Sequence, residues 1–141
     1  MPKVKLKQQL SYQFQYKRIL QVGDINYGGH LSNDAVVTIA HEARLDFLRE
    51  LGLSELDLGD GKTGIIMSDL AVNYLGEGFL FDELTILTQV DEIKSASFRV
   101  FHKMMREDKI IALVETGIIT FDYAEHSIVE IPQSFLKKLS K

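Results

Sequence analysis

The sequence predicts an α+β domain: one long helix wrapped by an antiparallel sheet of about five strands. Three observations carry that prediction. An alternating aromatic stretch, Tyr12, Phe14 and Tyr16, comes first; a single amphipathic helical pattern follows; then four more stretches of period-two alternation run to Tyr123. The short connections among those last four favour antiparallel pairing. One helix laid across such a sheet is a stable layered arrangement.

The elements follow in order. Tyr12, Phe14, Tyr16, Leu20 and Val22 share one strand phase, broken only by Arg18. Ser32, Asn33 and Asp34 offer oxygen acceptors at a helix start. Val36, Ala40, Ala43, Phe47 and Leu51 then recur at three- and four-residue spacing on one helical face. Gly52 suits the helix C-terminus. Gly59-Asp-Gly61 marks a turn. Ile66, Leu70, Val72 and Tyr74 alternate in the next strand, with Ser68 interrupting. Leu84 to Val90 and Phe98 to Met104 supply two more strands, and Lys109–Tyr123 a long one that is apolar in both phases. Gly117 within it marks a bulge or a close backbone approach. Pro132–Leu139 reads as a short terminal helix. A single helix covers one sheet face only, so apolarity in both phases predicts burial against a second subunit.

Composition narrows the function classes. The 141 residues are 45% hydrophobic and 26% charged, which predicts one globular domain over residues 1–141 with its core at about 12–123. A net charge of −4 without a basic block argues against nucleic acid. The absence of cysteine removes disulfides, thiol nucleophiles and thiolate metal sites. No apolar run reaches the roughly 20 residues of a membrane span. The basic N-terminal stretch lacks an apolar core, so it is not expected to be a signal peptide, and a cytoplasmic location is the default expectation. His30, His41, His102 and His126 have no paired ligand spacing, so no metal is expected. Phosphate-loop, dinucleotide and Gly-x-Ser-x-Gly patterns are missing.

Chemistry concentrates between Val22 and Asp34. Asp24 is the only carboxylate of this loop before the helix, which makes it either a base or nucleophile or an acceptor within a turn. Asn26 suits the orientation of water or substrate, or another turn. His30 suits a hydrogen bond to a reacting carbonyl or the tuning of Asp24, or a structural hydrogen bond. Gly28 and Gly29 permit close backbone approach, and the Gly29 N–H is a candidate oxyanion donor near a helix N-terminus. Tyr27, Asn33, Glu42 and Ser68 are candidate substrate-binding residues. Glu42 is also the alternative acid, or an ion-pair member; Ser68 and Asp69 interrupt an apolar strand and suit either a neighbouring subunit's site or an edge position.

The run Gly-Asp-Ile-Asn-Tyr-Gly-Gly-His-Leu-Ser-Asn, followed by Glu-Ala-Arg and Phe-Leu, resembles the hot-dog-fold acyl-CoA thioesterases of the 4-hydroxybenzoyl-CoA thioesterase type. Their loop reads Gly-Asp-x-Asp-x-x-Gly-His-Val-x-Asn, and an aromatic precedes a later Gly-Asp-x-Leu. Tyr74 and Asp82-Glu83-Leu84 stand at those later positions, with Phe81 in place of the family glycine. The resemblance covers about residues 12–123. It puts Asn26 where the family carries its catalytic aspartate. Plant acyl-carrier-protein thioesterases, with Asp-x-Asn-x-His, match Asp24 and Asn26 directly but leave two extra residues before His30. The resemblance implies hydrolysis of an acyl-CoA or acyl-carrier thioester by a homodimer or dimer of dimers, without metal or cofactor. The acyl chain would lie along the long helix at the subunit interface. Asp24 would activate water, the Gly29 N–H would hold the oxyanion, and Asn26 and His30 would position the reacting groups. A non-hydrolytic thioester-binding module and a hydroxyacyl-thioester dehydratase remain the alternatives on the same fold.

Overall fold

A computed structural model describes residues 3–140. Strand β1 (Phe14–Ile19) leads through a single 3-10 turn (Val22–Asp24) to helix α1 (Asn33–Glu50). Strands β2 (Thr63–Tyr74), β3 (Glu83–Asp91), β4 (Ser97–Arg106) and β5 (Lys109–Asp122) follow. The two-residue β6 (Ser127–Ile128) and helix α2 (Gln133–Leu139) close the described residues. The sheet runs β1-β3-β4-β5-β2, antiparallel throughout, with β6 paired to β5. One long helix on this sheet is the expected architecture, with β6 added to the five strands foreseen.

Helix α1 starts and stops where its sequence says. The Ser32 hydroxyl accepts from the Ala35 N–H at 3.3 Å. At the other end Gly52 has a φ of 76°, and the Gly52 and Leu53 N–H groups donate back to the Arg49 and Leu48 carbonyls. That pair of bonds is a Schellman ending, which needs a left-handed residue at Gly52. The buried face is wider than the predicted stripe: Ile39 and Leu48 join Val36, Ala40, Ala43 and Phe47, and Leu45 stays exposed.

Strand β2 departs from the predicted phase. Met67 pairs with Ile118 and Asp69 with Gly117, leaving Ser68 as the extra residue of a bulge. A bulge shifts the alternation by one. Ile65 and Met67 therefore face the helix before it, and Leu70, Val72 and Tyr74 after it; Ile66 points to the outer face. The predicted single phase from Ile66 to Tyr74 is corrected by that one residue. Gly117 lies opposite the bulge, and the side-chain ends of Asp69, Ser68 and Arg99 fill the space its missing Cβ leaves.

The outer face has an unforeseen cover. The chain preceding β1 crosses it, with the Leu6 N–H donating to Asn73 Oδ1 at 2.7 Å and Lys103 Nζ donating to Gln8 Oε1 at 2.7 Å. Asn73, Leu113 and Lys103 are one row of the sheet, so this segment straddles Leu113, which is buried within a single chain. Apolarity in both phases of β5 is thus met at Leu113 by the N-terminal segment.

Beneath α1 the core forms two clusters. One gathers Phe14, Phe47, Leu48, Phe98, Ile118 and Phe135; the other gathers Leu20, Val36, Ile39, Ile86, Met104 and Val114. The expected terminal helix seals the first, its Phe135 ring lying 5.1 Å from Phe98. Buried Arg44, Thr88, His102 and Thr116 add polar groups to this interior.

Candidate functional site

Arg18, the residue that breaks the apolar phase of β1, organises the first half of the loop. Its guanidinium donates to both oxygens of Asp24, at 2.6 and 3.2 Å, and to Glu42 Oε1 at 2.8 Å. The Tyr16 hydroxyl donates to the same Glu42 oxygen, and the Gln21 N–H donates to Asp24 Oδ2 at 2.7 Å. Burial alone would raise the Asp24 pKa; the bonds from Arg18 and Gln21 outweigh it and hold the carboxyl below its ordinary value. The Arg18 pKa is raised in turn, chiefly by its bond to Asp24. A buried carboxylate with both oxygens engaged by a cation is an anchor and a poor base. In this arrangement both oxygens of Asp24, the residue expected to activate water, are engaged by Arg18. Glu42, the alternative acid, is tied into the same cluster.

The second half of the loop folds around Asn26. Its Oδ1 accepts from the Gly28 N–H at 2.9 Å and the His30 N–H at 3.3 Å. The Gly29 N–H, the expected oxyanion donor, donates to the Asn26 carbonyl at 3.0 Å. With Oδ1 committed to two backbone donors, the Asn26 Nδ2 amide is left as the free donor. The half-buried His30 ring follows, its Nε2 4.0 Å from Glu77 Oε1. Tyr27 is fully exposed at the tip. Asn33 opens α1, and its carbonyl accepts from the Tyr74 hydroxyl at 3.0 Å, which ties the helix start to the end of β2.

A cavity of about 400 Å³ runs between α1 and β2, lined by Val37, Ala40, Arg44, Met67, Leu70 and Thr116 among others. Ser68 and His41 also border it. Arg44 is buried and donates through Nε to Glu55 Oε2 at 2.6 Å, while His41 Nε2 lies 3.1 Å from Glu55 Oε1. Burial would raise the Glu55 pKa, but Arg44 and His41 bring it below the ordinary value. His102 is pushed down to about 3, first by burial and then by the charge of Arg44. It is therefore neutral at ordinary pH.

Asn26, Tyr27, Gly29 and His30 thus lie on the loop leading into α1 and Asn33 opens the helix, while Ser68 borders the cavity along α1, whose lining begins at Val37. Asp24 and Glu42 share Arg18 instead. Glu42 borders a separate hollow with Tyr16, Leu45, Asp46 and Arg49. Arg44, Glu55, Glu77 and Thr116 went unforeseen. Two of them left a trace: Arg44 lies four residues after Ala40 on the apolar stripe, and Thr116 sits between Val114 and Ile118 in an inward phase.

The family model of the thioesterase-like superfamily matches residues 20–139, and the chain belongs to that superfamily. Acyl-thioester hydrolysis is accordingly the class of reaction. Solved structures agree on the fold. The 1,4-dihydroxy-2-naphthoyl-CoA thioesterase of Synechocystis is 15% identical with a TM-score of 0.82, over 91% of this chain and 96% of that one. Gentisyl-coenzyme A thioesterase BH1999 is 22% identical with a TM-score of 0.78, over 89% and 99%. A Staphylococcus aureus protein solved in complex with CoA is 16% identical with a TM-score of 0.82, over 95% and 86%. The shared architecture is the hot-dog fold. No curated protein sequence matches the chain.

Proposed function

We propose that the protein hydrolyses an acyl-CoA thioester, with the Asn26–His30 loop at the reacting carbonyl and the acyl group in the cavity along α1. The observation that carries this is the commitment of Asn26 Oδ1 to the Gly28 and His30 N–H groups, with no bond from Nδ2 among the described residues, on the loop that carries His30 into α1. An amide N–H and the positive end of a helix stabilise the oxygen that becomes anionic as water attacks. His30 takes the proton from that water, the carbon–sulfur bond breaks, and the proton passes to the departing thiolate. Superfamily membership supports the reaction class. The CoA complex of the Staphylococcus aureus protein and the two acyl-CoA thioesterases of like fold support the carrier.

The working form in this proposal is a homodimer. Strand β2 is a 12-residue sheet edge, with Met67 and Leu70 half exposed where it borders the cavity. A long bare edge invites a second strand, and a partner there would also close the cavity. A non-hydrolytic binding module is the second reading, favoured by one fact: the only carboxylate of the loop before the helix is consumed by Arg18.

Thiol release from short, medium, long and aromatic acyl-CoAs tests the proposal. We expect turnover by the wild type and a loss of roughly a hundredfold or more in kcat for His30→Ala, the scale of general-base catalysis. A His30→Ala enzyme at full rate, beside a folded Asp24→Asn enzyme that is dead, would return the base to Asp24. Binding of acyl-CoA without any thiol release would establish the binding module.

A further inference from the structure

The cavity along α1 carries two buried polar residues on its inner wall, Arg44 and Thr116. Thr116 is 2% exposed, and its Oγ1 has no hydrogen-bond partner among the described residues. Arg44 is 4% exposed; only its Nε is engaged, by Glu55, and its two Nη nitrogens bond to nothing among the described residues. Both residues line the cavity. A second orphan, His102 Nε2, lies on the same inward face, since His102 and Thr116 are diagonal neighbours across β4 and β5. Buried polar atoms without partners cost free energy; Thr116 Oγ1 is such an atom in the cavity wall, and the Arg44 guanidinium lines the same cavity.

We infer that this wall selects an acyl group whose far end carries an uncharged hydroxyl, seated on Thr116 Oγ1 and the Nη donors of Arg44. The inference rests on the thioesterase reading above. Three considerations lead to it. A plain hydrocarbon end would leave Thr116 and Arg44 unpaired, whereas a hydroxyl accepts from Arg44 and exchanges a bond with Thr116. A carboxylate end would add a negative charge where Glu55 already balances Arg44 and where Asp69, also lining the cavity, is itself negative and held by Arg99. The length follows from the helix: the polar wall lies by Ala40 and Arg44, and the rise from Asn33 to Ala40 is roughly 10 Å. That distance calls for a medium-length acyl chain with the hydroxyl at or near its end.

The test pairs 8-hydroxyoctanoyl-CoA with octanoyl-CoA, and the corresponding free acids with each other. Initial rates of thiol release give kcat/KM for the thioesters; calorimetry gives affinity for the acids. In the wild type we expect the hydroxylated member to be favoured roughly tenfold in both measurements, the scale of one buried hydrogen bond. In Thr116→Val the ratio falls toward one, and in Thr116→Ser, which keeps the hydroxyl, it is retained. Equal treatment of the two members by the wild type, or a preference untouched in a folded Thr116→Val, overturns the inference even if thioesters are hydrolysed. A hydroxyl preference in acid binding with no thiol release from any thioester sustains the selective wall and sinks the hydrolase reading instead. Engagement of neither acid and neither thioester overturns both.

Discussion

Arg18 and His102 show how far single side chains set the behaviour of this site. An arginine in an inward strand phase would be costly alone; with Asp24 and Glu42 it becomes the post on which the loop hangs. His102 is the sharper probe because its neutral form is enforced by burial. Its pKa in the folded protein is about 3 against an ordinary 6.5. The unfolded chain therefore takes up the proton first as pH falls, and the stability present above pH 6.5 is lost between 6.5 and about 3. Between about pH 7.5 and pH 5, urea unfolding should show the wild type losing about 2 kcal/mol more than His102→Gln. Equal losses would mean that His102 is not held neutral. Phe81 makes a different point. It adopts a φ of 71° with its ring largely exposed, at the position where the resembling family carries glycine. Phe81→Gly should raise stability by up to about 1 kcal/mol, read from the denaturation midpoint. Unchanged or lowered stability would show that the ring's contacts outweigh the backbone strain.

At the scale of elements, the β2 bulge determines what faces the substrate cavity. Without Ser68 as an extra residue, Met67 and Leu70 would point to opposite faces; with it, both border the cavity. Gly117 lies across the ladder from the bulge, under the Asp69–Arg99 ion pair. Gly117→Ala displaces that pair and should destabilise by up to about 1 kcal/mol, the scale of an exposed ion pair, with the loss visible in thermal unfolding. A variant as stable as the wild type would show that Asp69 and Arg99 yield to the added methyl without cost. Alternation in the sequence located β2 well. It misassigned Ile66, because a bulge is a one-residue event that periodicity averages over. The helix was legible in more detail: Ser32, Gly52 and the Val36–Phe47 stripe all act locally, within a turn or two of where they are read. The site was legible only as a neighbourhood. The Val22–Asp34 loop and α1 were read as its place, and the part assigned to Asp24 depends on Arg18, since nothing in spacing alone shows which acid an arginine will take.

At the scale of the molecule, the 12-residue β2 strand is a sheet edge beside the cavity, with Met67 and Leu70 half exposed. In the proposed dimer that edge pairs with its copy, and activity depends on it. Met67→Lys puts a charge on the edge and should shift light-scattering mass from dimer toward monomer, with thiol release falling in parallel. A wild type that is monomeric at assay concentration, with full turnover, would sink the dimeric reading. The outer face behaves differently from the expectation that a second subunit would bury it. At the Asn73–Leu113–Lys103 row the chain's own N-terminal segment lies across it, so a dimer is not needed to bury Leu113.

The sequence by itself determined the fold class, the order of the principal elements and the caps of α1. Those features arise from alternation, helical spacing and turn residues, which act between near neighbours. Only the tertiary structure decided that Asp24 and Glu42 share one arginine, that Gly29 spends its N–H on Asn26, and that Thr116 and Arg44 line one cavity. Each of these joins residues whose partners are chosen by packing: Arg18 reaches Glu42 across a loop and half a helix, and Thr116 shares the cavity with Arg44 only because a strand far along the chain passes beneath α1. Local pattern carries no record of such pairings, because their free energy appears only when the layers close.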